Sequence, residues 1–418
     1  MLSADKPATG MTTENEIKNK LILGDNLEIL KTLQDESVDL IYIDPPFFSN
    51  RNYEVVFGDE AEIRSFEDRW EGGVNVYIEW MRDRVMELYR VLKATGSFYL
   101  HCDWHASHRL RVMLDDVFGA KHFQNEIIWY YRGGGVSKDR FGRRHDNIYF
   151  YTKGDRWAFN ADDIRTPYSE ETLERLRYKA RSFRGERVYD TYEANPLGKH
   201  PDDVWIIQPV MPSAKERLGY PTQKPEELLE KIIRASSNRN DVVLDSFCGC
   251  GTSLAVSQKL GRHWIGIDIS PTAIKLVEKR LEKLGAIKEK TYLSINTPTT
   301  DDDLRAFKPI EFQNWVIDEL EAKHSKVKSG DFGLDGYFEK DLWHEKAGIQ
   351  VKQSDGIGRN VVDNFETALK RAKYKKGYII AFSFSKGAYE EAARVKKEGL
   401  EIKLIKVSEL LNKRKPVL

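Results

Sequence analysis

Three short apolar runs in this chain each give way to an aspartate and a turn. Val38 to Ile43 (VDLIYI) runs into Asp44-Pro45-Pro46-Phe47, Val242 to Leu244 into Asp245 and a glycine loop, and Trp264 to Ile267 into Asp268. Runs of this length read as buried strands, and the stretches between them carry apolar residues at three- and four-residue steps. In Tyr77 to Leu92, Trp80, Met81, Val85, Leu88 and Leu92 fall on one helical face. Strands alternating with helices argue for a doubly wound, mainly parallel α/β sheet. Such sheets bind ligands beyond the carboxyl ends of their strands, so these loops are where a site is expected.

The same reading predicts further strands at Leu21–Leu23, Ser97–His101, Glu126–Tyr131 and Asn147–Tyr151. Helices are predicted at Leu27–Leu33, Arg109–Phe118, Pro225–Ala235, Ser253–Leu260 and Pro271–Leu284. Residues 154–215 break the alternation: they are polar, rich in Arg and Tyr, and hold five prolines. Asn296–Asp303 (NTPTTDDD) has the composition of a linker. A second rhythm follows, with helices at Phe312–Glu321, Val361–Ala372 and Gly387–Lys397 and strands at Ile349–Lys352, Gly377–Ser383 and Glu401–Ile405. The expected organisation is a flexible leader (1–16), a first unit (17–295), a linker (296–307) and a second, smaller α/β unit (308–418) of ordinary domain size.

Composition excludes several classes. Lys+Arg and Asp+Glu balance at 66 each, so any surface for nucleic acid must be local. Arg132 to Arg187 provides one, with 14 Lys and Arg against nine Asp and Glu. Cys102, Cys248 and Cys250 offer neither a disulfide framework nor a zinc spacing, which fits a reducing cytoplasmic setting. No apolar run approaches the ~20 residues of a membrane span, and the leader lacks the apolar core of a signal peptide.

The segment Leu244-Asp245-Ser246-Phe247-Cys248-Gly249-Cys250-Gly251-Thr252-Ser253 is a strand end, a glycine turn and a helix start. Glycines let the backbone approach a ligand, and a helix amino end favours a carboxylate or phosphate. It is neither the dinucleotide GxGxxG nor a P-loop. Seventeen residues past Gly251, Asp268 ends the next strand, where an acid can take both ribose hydroxyls of a nucleoside. Glycine loop and acidic strand end together fit S-adenosylmethionine. The alternative is a structural turn with Asp268 as a helix N-cap.

Taken together, DPPF, YPTQKP (Tyr220–Pro225), LDSFCGCGTS (Leu244–Ser253) and GIDIS (Gly266–Ser270) resemble the amino-group DNA methyltransferases of the β class. Those enzymes place the catalytic motif before the cofactor motif, with a target-recognition region between. LILGDNLEIL (Leu21–Leu30), HCDWH (His101–His105) and NEIIWYY (Asn125–Tyr131) match as well, so the resemblance covers residues 20–290. Ser246, Cys250 and Phe47 depart from the usual proline, serine and tyrosine without removing a needed group.

The resemblance implies a Rossmann-like methyltransferase with residues 154–215 as an inserted target-recognition region. It assigns the methionine part of S-adenosylmethionine to Asp245, Phe247, Gly249, Gly251 and Thr252, and the ribose to Asp268, with Ile269 beside it. Asp25 and Asn26 would lie against the adenine, and Lys224 would meet the cofactor carboxylate. Asp44, Pro45, Pro46 and Phe47 would form the catalytic loop for a flipped base, with adenine N6 favoured over cytosine N4. An amino nitrogen conjugated to a ring is a poor nucleophile. Acceptors at Asp44 and the Pro45 carbonyl would take its hydrogens and expose the lone pair.

Arg132, Lys138, Arg140, Arg143 and Arg144, in a glycine-rich loop, are the candidate contacts to double-stranded DNA. In the second unit, GLDG (Gly333–Gly336) followed by Gln350-Val351-Lys352 resembles the Mrr-type branch of the restriction-endonuclease-like fold. Asp335, Gln350 and Lys352, with Glu319 as an extra acid, would hold Mg²⁺ at Asp335 for phosphodiester cleavage. A domain that only binds DNA or a partner is the alternative. A cognate restriction subunit and a homodimer stay open as further partners.

Overall fold

The computed structural model describes residues 18–48, 52–55, 64–67, 73–133, 138–177, 194–220, 222–325, 334–339 and 346–411. Residues 1–17 with the leader, Gly333 of GLDG and part of the recognition region (178–193) lie outside the described residues.

The first unit runs β1 (Asn19–Leu23), α1 (Asn26–Thr32), β2 (Val38–Ile43), a hairpin of β3 (Asn52–Val55) and β4 (Arg64–Glu67), α2 (Val74–Val91), β5 (Leu92–Cys102) and α3 (Ser107–Phe118). It continues with β6 (Phe123–Tyr130), β7 (His145–Thr152), α4 (Glu170–Arg177), β8 (Val204–Ile206), α5 (Glu226–Ser236), β9 (Val242–Asp245), α6 (Thr252–Lys259), β10 (His263–Asp268), α7 (Pro271–Lys283) and β11 (Tyr292–Ile295). Nine of these strands form one sheet in the order β11-β1-β10-β9-β2-β5-β7-β6-β8. Pairing is parallel from β11 to β5, and antiparallel on both sides of β7.

Strand periodicity explains the layering. Along β2, Ile41 and Ile43 face a core shared with α1, α2 and α3, whereas Leu40 and Tyr42 face one shared with α5 and α6. Leu21 and Leu23 of β1 pack with α7 residues Ile274, Val277 and Leu281. Helices therefore cover both faces, and the central strands carry apolar residues on both, as a buried parallel sheet requires.

Residues 154–215 are more than an insertion. Val204–Ile206 adds a parallel edge strand to β6, and the Trp129 indole N–H donates to the Ile207 carbonyl (2.8 Å). The linker is likewise part of the fold. Thr300 and Asp303 form a reciprocal capping box that starts α8 (Asp301–Arg305), and Leu304 is fully buried in the second core.

The second unit continues with α9 (Pro309–Glu319), β12 (Lys323–His324), β13 (Gly336–Phe338), β14 (Ala347–Lys352), α10 (Arg359–Ala372), β15 (Lys376–Ala381), α11 (Lys386–Lys397), β16 (Glu401–Lys406) and α12 (Val407–Leu411). Its sheet, β12-β13-β14-β15-β16, is antiparallel up to β14 and parallel beyond. One face packs on α9 and α12, the other on α10 and α11. Among the described residues, no helix is long and apolar enough to cross a membrane.

Candidate active site

Sheet topology brings together residues about 200 positions apart. Strands β10, β9 and β2 are adjacent and parallel, with Gly266 beside Asp245 and Leu244 beside Ile41. Asp268, Asp245 and Asp44 therefore stand along one carboxyl edge, where they line a cavity of about 530 Å³. Pro45, Pro46, Phe47, Lys224, Phe247, Gly249, Thr252 and Ile269 line it too, as do Asp25 and Asn26. Every residue assigned above to catalysis or cofactor except Gly251 thus reaches a single cleft.

The glycine turn owes its path to two left-handed residues, Gly249 (φ +49°) and Gly251 (φ +69°). A Cβ on Gly251 would lie 2.8 Å from Val277 Cγ2, so the turn is pressed against α7 and tolerates no side chain there. Asp245 is buried and takes hydrogen bonds from the Ser253 hydroxyl and the Phe247 amide. Burial outweighs them and pushes its carboxyl up to about 7. Asp268 is held between the Gly249 and Ser270 amides (both 2.8 Å), and burial raises it as well. Each of its oxygens keeps a second lone pair.

Asp25 caps α1 through the Leu27 amide (2.9 Å) and pairs with Arg84 (3.0 Å). Asn26 is clipped between the Ser246 carbonyl (2.8 Å) and Arg84 Nε (2.7 Å). Both shape the cleft as well as bordering it. Thr252 accepts from Arg280 (3.0 Å) and faces the Lys224 carbonyl.

Lys224, expected at a cofactor carboxylate, is a buried residue whose ammonium here pairs with Asp44 Oδ2 and lies 5.0 Å from the Phe47 ring centroid. That pairing leaves Asp44 Oδ1 buried at the cleft with no hydrogen-bond partner, and Ser246 Oγ, also lining it, has none either. Buried acceptors without partners are costly, and where they persist at a cavity they mark ligand contacts.

Behind the loop lies a network that sequence reasoning missed. His101 is fully buried. Its Nδ1 lies 2.8 Å from the Tyr42 hydroxyl and its Nε2 3.3 Å from Asp146 Oδ2. Burial pulls Asp146 upward, but its bond to His101 and the charges of His101 and Lys224 outweigh this and hold it below the usual carboxylate range. Both ring nitrogens of His101 are thus engaged, Nδ1 by Tyr42 and Nε2 by Asp146. The Phe47 ring rests 5.7 Å from that of His101. HCDWH matched the family pattern, but nothing in sequence tied His101 to an acid 45 residues away.

The basic loop joins β6 to β7; residues 134–137 of it lie outside the described set. Arg132, Lys138, Arg140 and Arg143 are exposed, and Arg144 is half-buried. Arg143 stacks over Trp104 (3.4 Å) and Arg140 lies 3.6 Å from Asp139.

In the second unit, Asp335 Oδ2 accepts from the Val351 amide (2.7 Å), which holds it against β14, the strand that carries Gln350 and Lys352. Glu319 is elsewhere. It pairs with Lys275 of α7 (2.7 Å) at the contact between the units, which sequence could not show. Among the described residues, the carboxylates grouped closely enough for a metal are Asp363, Glu366 and Glu391, and arginine and lysine partners already hold the latter two.

The site is a cofactor-sized cleft at the carboxyl edge of a Rossmann-like sheet, with an orphaned acceptor beside an aromatic ring. Comparison with known proteins gives the class. The family model described as DNA methylase matches residues 38–279, and the one described as Restriction endonuclease matches residues 304–413. The type II methyltransferase M.HpaI of Haemophilus parainfluenzae is 34% identical over 63% of this chain and 74% of its own length. The type II methyltransferase M.BglII of Bacillus subtilis is 30% identical over 86% of this chain and 89% of its own. The DNA adenine methyltransferase YhdJ of Escherichia coli (strain K12) is 33% identical over 64% and 84%. The chain belongs to the DNA methylase family, its reaction is methyl transfer to a base of DNA, and it carries a restriction-endonuclease-like unit.

Proposed function

We propose that this protein methylates the exocyclic amino group of adenine at a specific DNA site, in a restriction-modification setting. The observation that carries the reading is Asp44 Oδ1, a buried acceptor without a partner in the cleft beside Phe47. S-adenosylmethionine, when bound, supplies an electrophilic methyl group. The cavity fits it: about 530 Å³, two acidic strand ends, a glycine turn at a helix start, and the unpartnered Ser246 hydroxyl. Asp245, Phe247, Gly249 and Thr252 would hold the methionine part, and Asp268 with Ile269 the nucleoside.

A base inside a duplex is out of reach, so it must be flipped into the cleft. Phe47 stacks on it, which is worth about 1–3 kcal/mol. Asp44 Oδ1 and the Pro45 carbonyl each accept an amino hydrogen, turning the nitrogen lone pair toward the methyl group. The carboxylate then stabilises the positive charge that develops on nitrogen, an effect strongest where water is excluded. Lys224 keeps Asp44 in place through Oδ2. Tyr42, His101 and Asp146 hold the floor on which Phe47 lies. An acid at the first position of the tetrad supports adenine, and YhdJ bears that base in its name. Incubating duplex DNA with the protein and S-adenosylmethionine, then digesting to nucleosides, tests the reading. N6-methyladenine is expected; N4-methylcytosine would move the assignment to the other base, and no methylated nucleoside would overturn it.

A second activity is supported by the bond that holds Asp335 against β14, the strand of Gln350 and Lys352. One carboxylate and one amide oxygen suit Mg²⁺, which keeps several waters and takes phosphate oxygens as further ligands. Lys352 would then stabilise the charge on the scissile phosphate. Glu319, engaged by Lys275, is left out of this set. Cleavage of unmethylated DNA in Mg²⁺, lost in Lys352→Ala, is the expected result; intact DNA with the wild-type protein would retire the nuclease.

A further inference from the structure

The cleft that we assign to S-adenosylmethionine has a wall from outside the methyltransferase unit. Lys308, Ile310, Glu311 and Asn314, at the start of α9, line it together with Ile269, Ser270, Pro271 and Thr272. Polar contacts fasten α9 there. The Thr272 hydroxyl donates to Asp318 Oδ2 (2.7 Å), Lys275 pairs with Glu319 (2.7 Å) and Lys279 with Glu321 (3.4 Å). Asp318 also meets the buried His324 of β12 (3.3 Å), which ties the contact to the second sheet. Phe307 packs against the cores of both units.

Two side chains on this border are out of place unless something covers them. Ile269 is 62% exposed and Ile310 50% exposed, one from each unit, on the same cavity. Asn314 is half-buried there, with its side chain on the same cavity wall. Exposed branched apolar side chains beside an amide side chain match a purine. The ring needs apolar surface against its faces and a paired donor and acceptor for its amino edge, which an Asn amide supplies.

We propose that the endonuclease-like unit completes the cofactor site. Ile269 and Ile310 clamp the adenine of S-adenosylmethionine, and Asn314 reads its amino edge. Cofactor binding then bridges the two units and is linked to their docking, and the linkage is reciprocal. The inference rests on the cofactor reading of the cleft given above.

The test uses the full-length protein and S-adenosylmethionine alone. Calorimetry should show Kd raised about five- to tenfold in Ile310→Asp and in Asn314→Ala, about one hydrogen bond or one apolar contact each. Glu319→Ala, which never touches the cofactor, should weaken binding through the dock. Hydrogen exchange should slow in α9 on adding the cofactor, alongside the glycine turn. Unchanged melting temperatures of the free variants exclude misfolding. If Ile310→Asp and Asn314→Ala bind within about twofold of wild type, and α9 gains no protection while Asp268→Ala loses binding, the clamp is overturned and the cofactor reading stands. If Asp268→Ala also binds normally, the cofactor reading falls and the clamp with it.

Discussion

The first unit sets its acids at the ends of central strands, and the second sets its own just before β13 and on α9, α10 and α11. Asp44 and Asp268 in the first unit line a cavity, and Asp44 Oδ1 has no hydrogen-bond partner, with His101 Nδ1 3.9 Å away. In the second unit Asp335 is bonded to β14 through Val351, Glu319 is spent on the contact with α7, and Glu366 and Glu391 are tied to Arg394. An acid in a conspicuous motif is a site only where the fold leaves its hydrogen-bonding capacity unspent. By that measure the methyltransferase edge is prepared for a substrate, and the endonuclease-like unit has Asp335 with its β14 neighbours as its one candidate among the described residues.

Substitutions can break or sharpen the contrast. The largest effect is expected at Asp44: Asp44→Ala should lower methyl transfer by about 10²–10³-fold or more, as removal of a group that stabilises transition-state charge does. The matching change in the other unit, Asp335→Ala, should leave methyl transfer intact. Equal losses in both would erase the contrast. Next comes Asp268→Ala, which should raise the S-adenosylmethionine Kd about 10–100-fold, the worth of hydrogen bonds to a charged group.

A smaller effect concerns pH. Burial raises Asp245 to about 7 in the native chain, while the unfolded chain ionises near pH 4. The native state therefore holds the extra proton between these values. The contribution to stability is full below about pH 4 and is lost as pH rises through about 7. Denaturant melts of Asp245→Asn should show a flatter profile over that window than wild type. The smallest effects lie at the basic loop. Arg143→Ala and Arg144→Ala should each weaken DNA binding a few-fold and reduce the salt slope by about 1.

Much of this was legible in sequence because buried parallel strands and amphipathic helices write their periodicity directly. Both sheets' main strands and the DPPF and glycine-turn loops stand where the pattern placed them. Short edge elements escaped: β8 sits in a proline-rich polar stretch, and β12 has only two residues. The linker's helix was readable in principle from Thr300 and Asp303, a capping-box spacing overridden by composition. Long-range pairings were not readable. Lys224 on Asp44 spans 180 positions and Glu319 on Lys275 spans 44, so the sheet order and the docking of the units had to be known first.

In the proposed mechanism a carboxylate oxygen of Asp44 without a hydrogen-bond partner activates the amino group. Single-turnover methyl transfer by Asp44→Asn, at saturating S-adenosylmethionine and DNA, tests it most directly. The substitution keeps size and shape but replaces the carboxylate. A rate constant reduced by at least about 10²-fold is expected, with S-adenosylmethionine bound as tightly as by wild type. Transfer near the wild-type rate would contradict it.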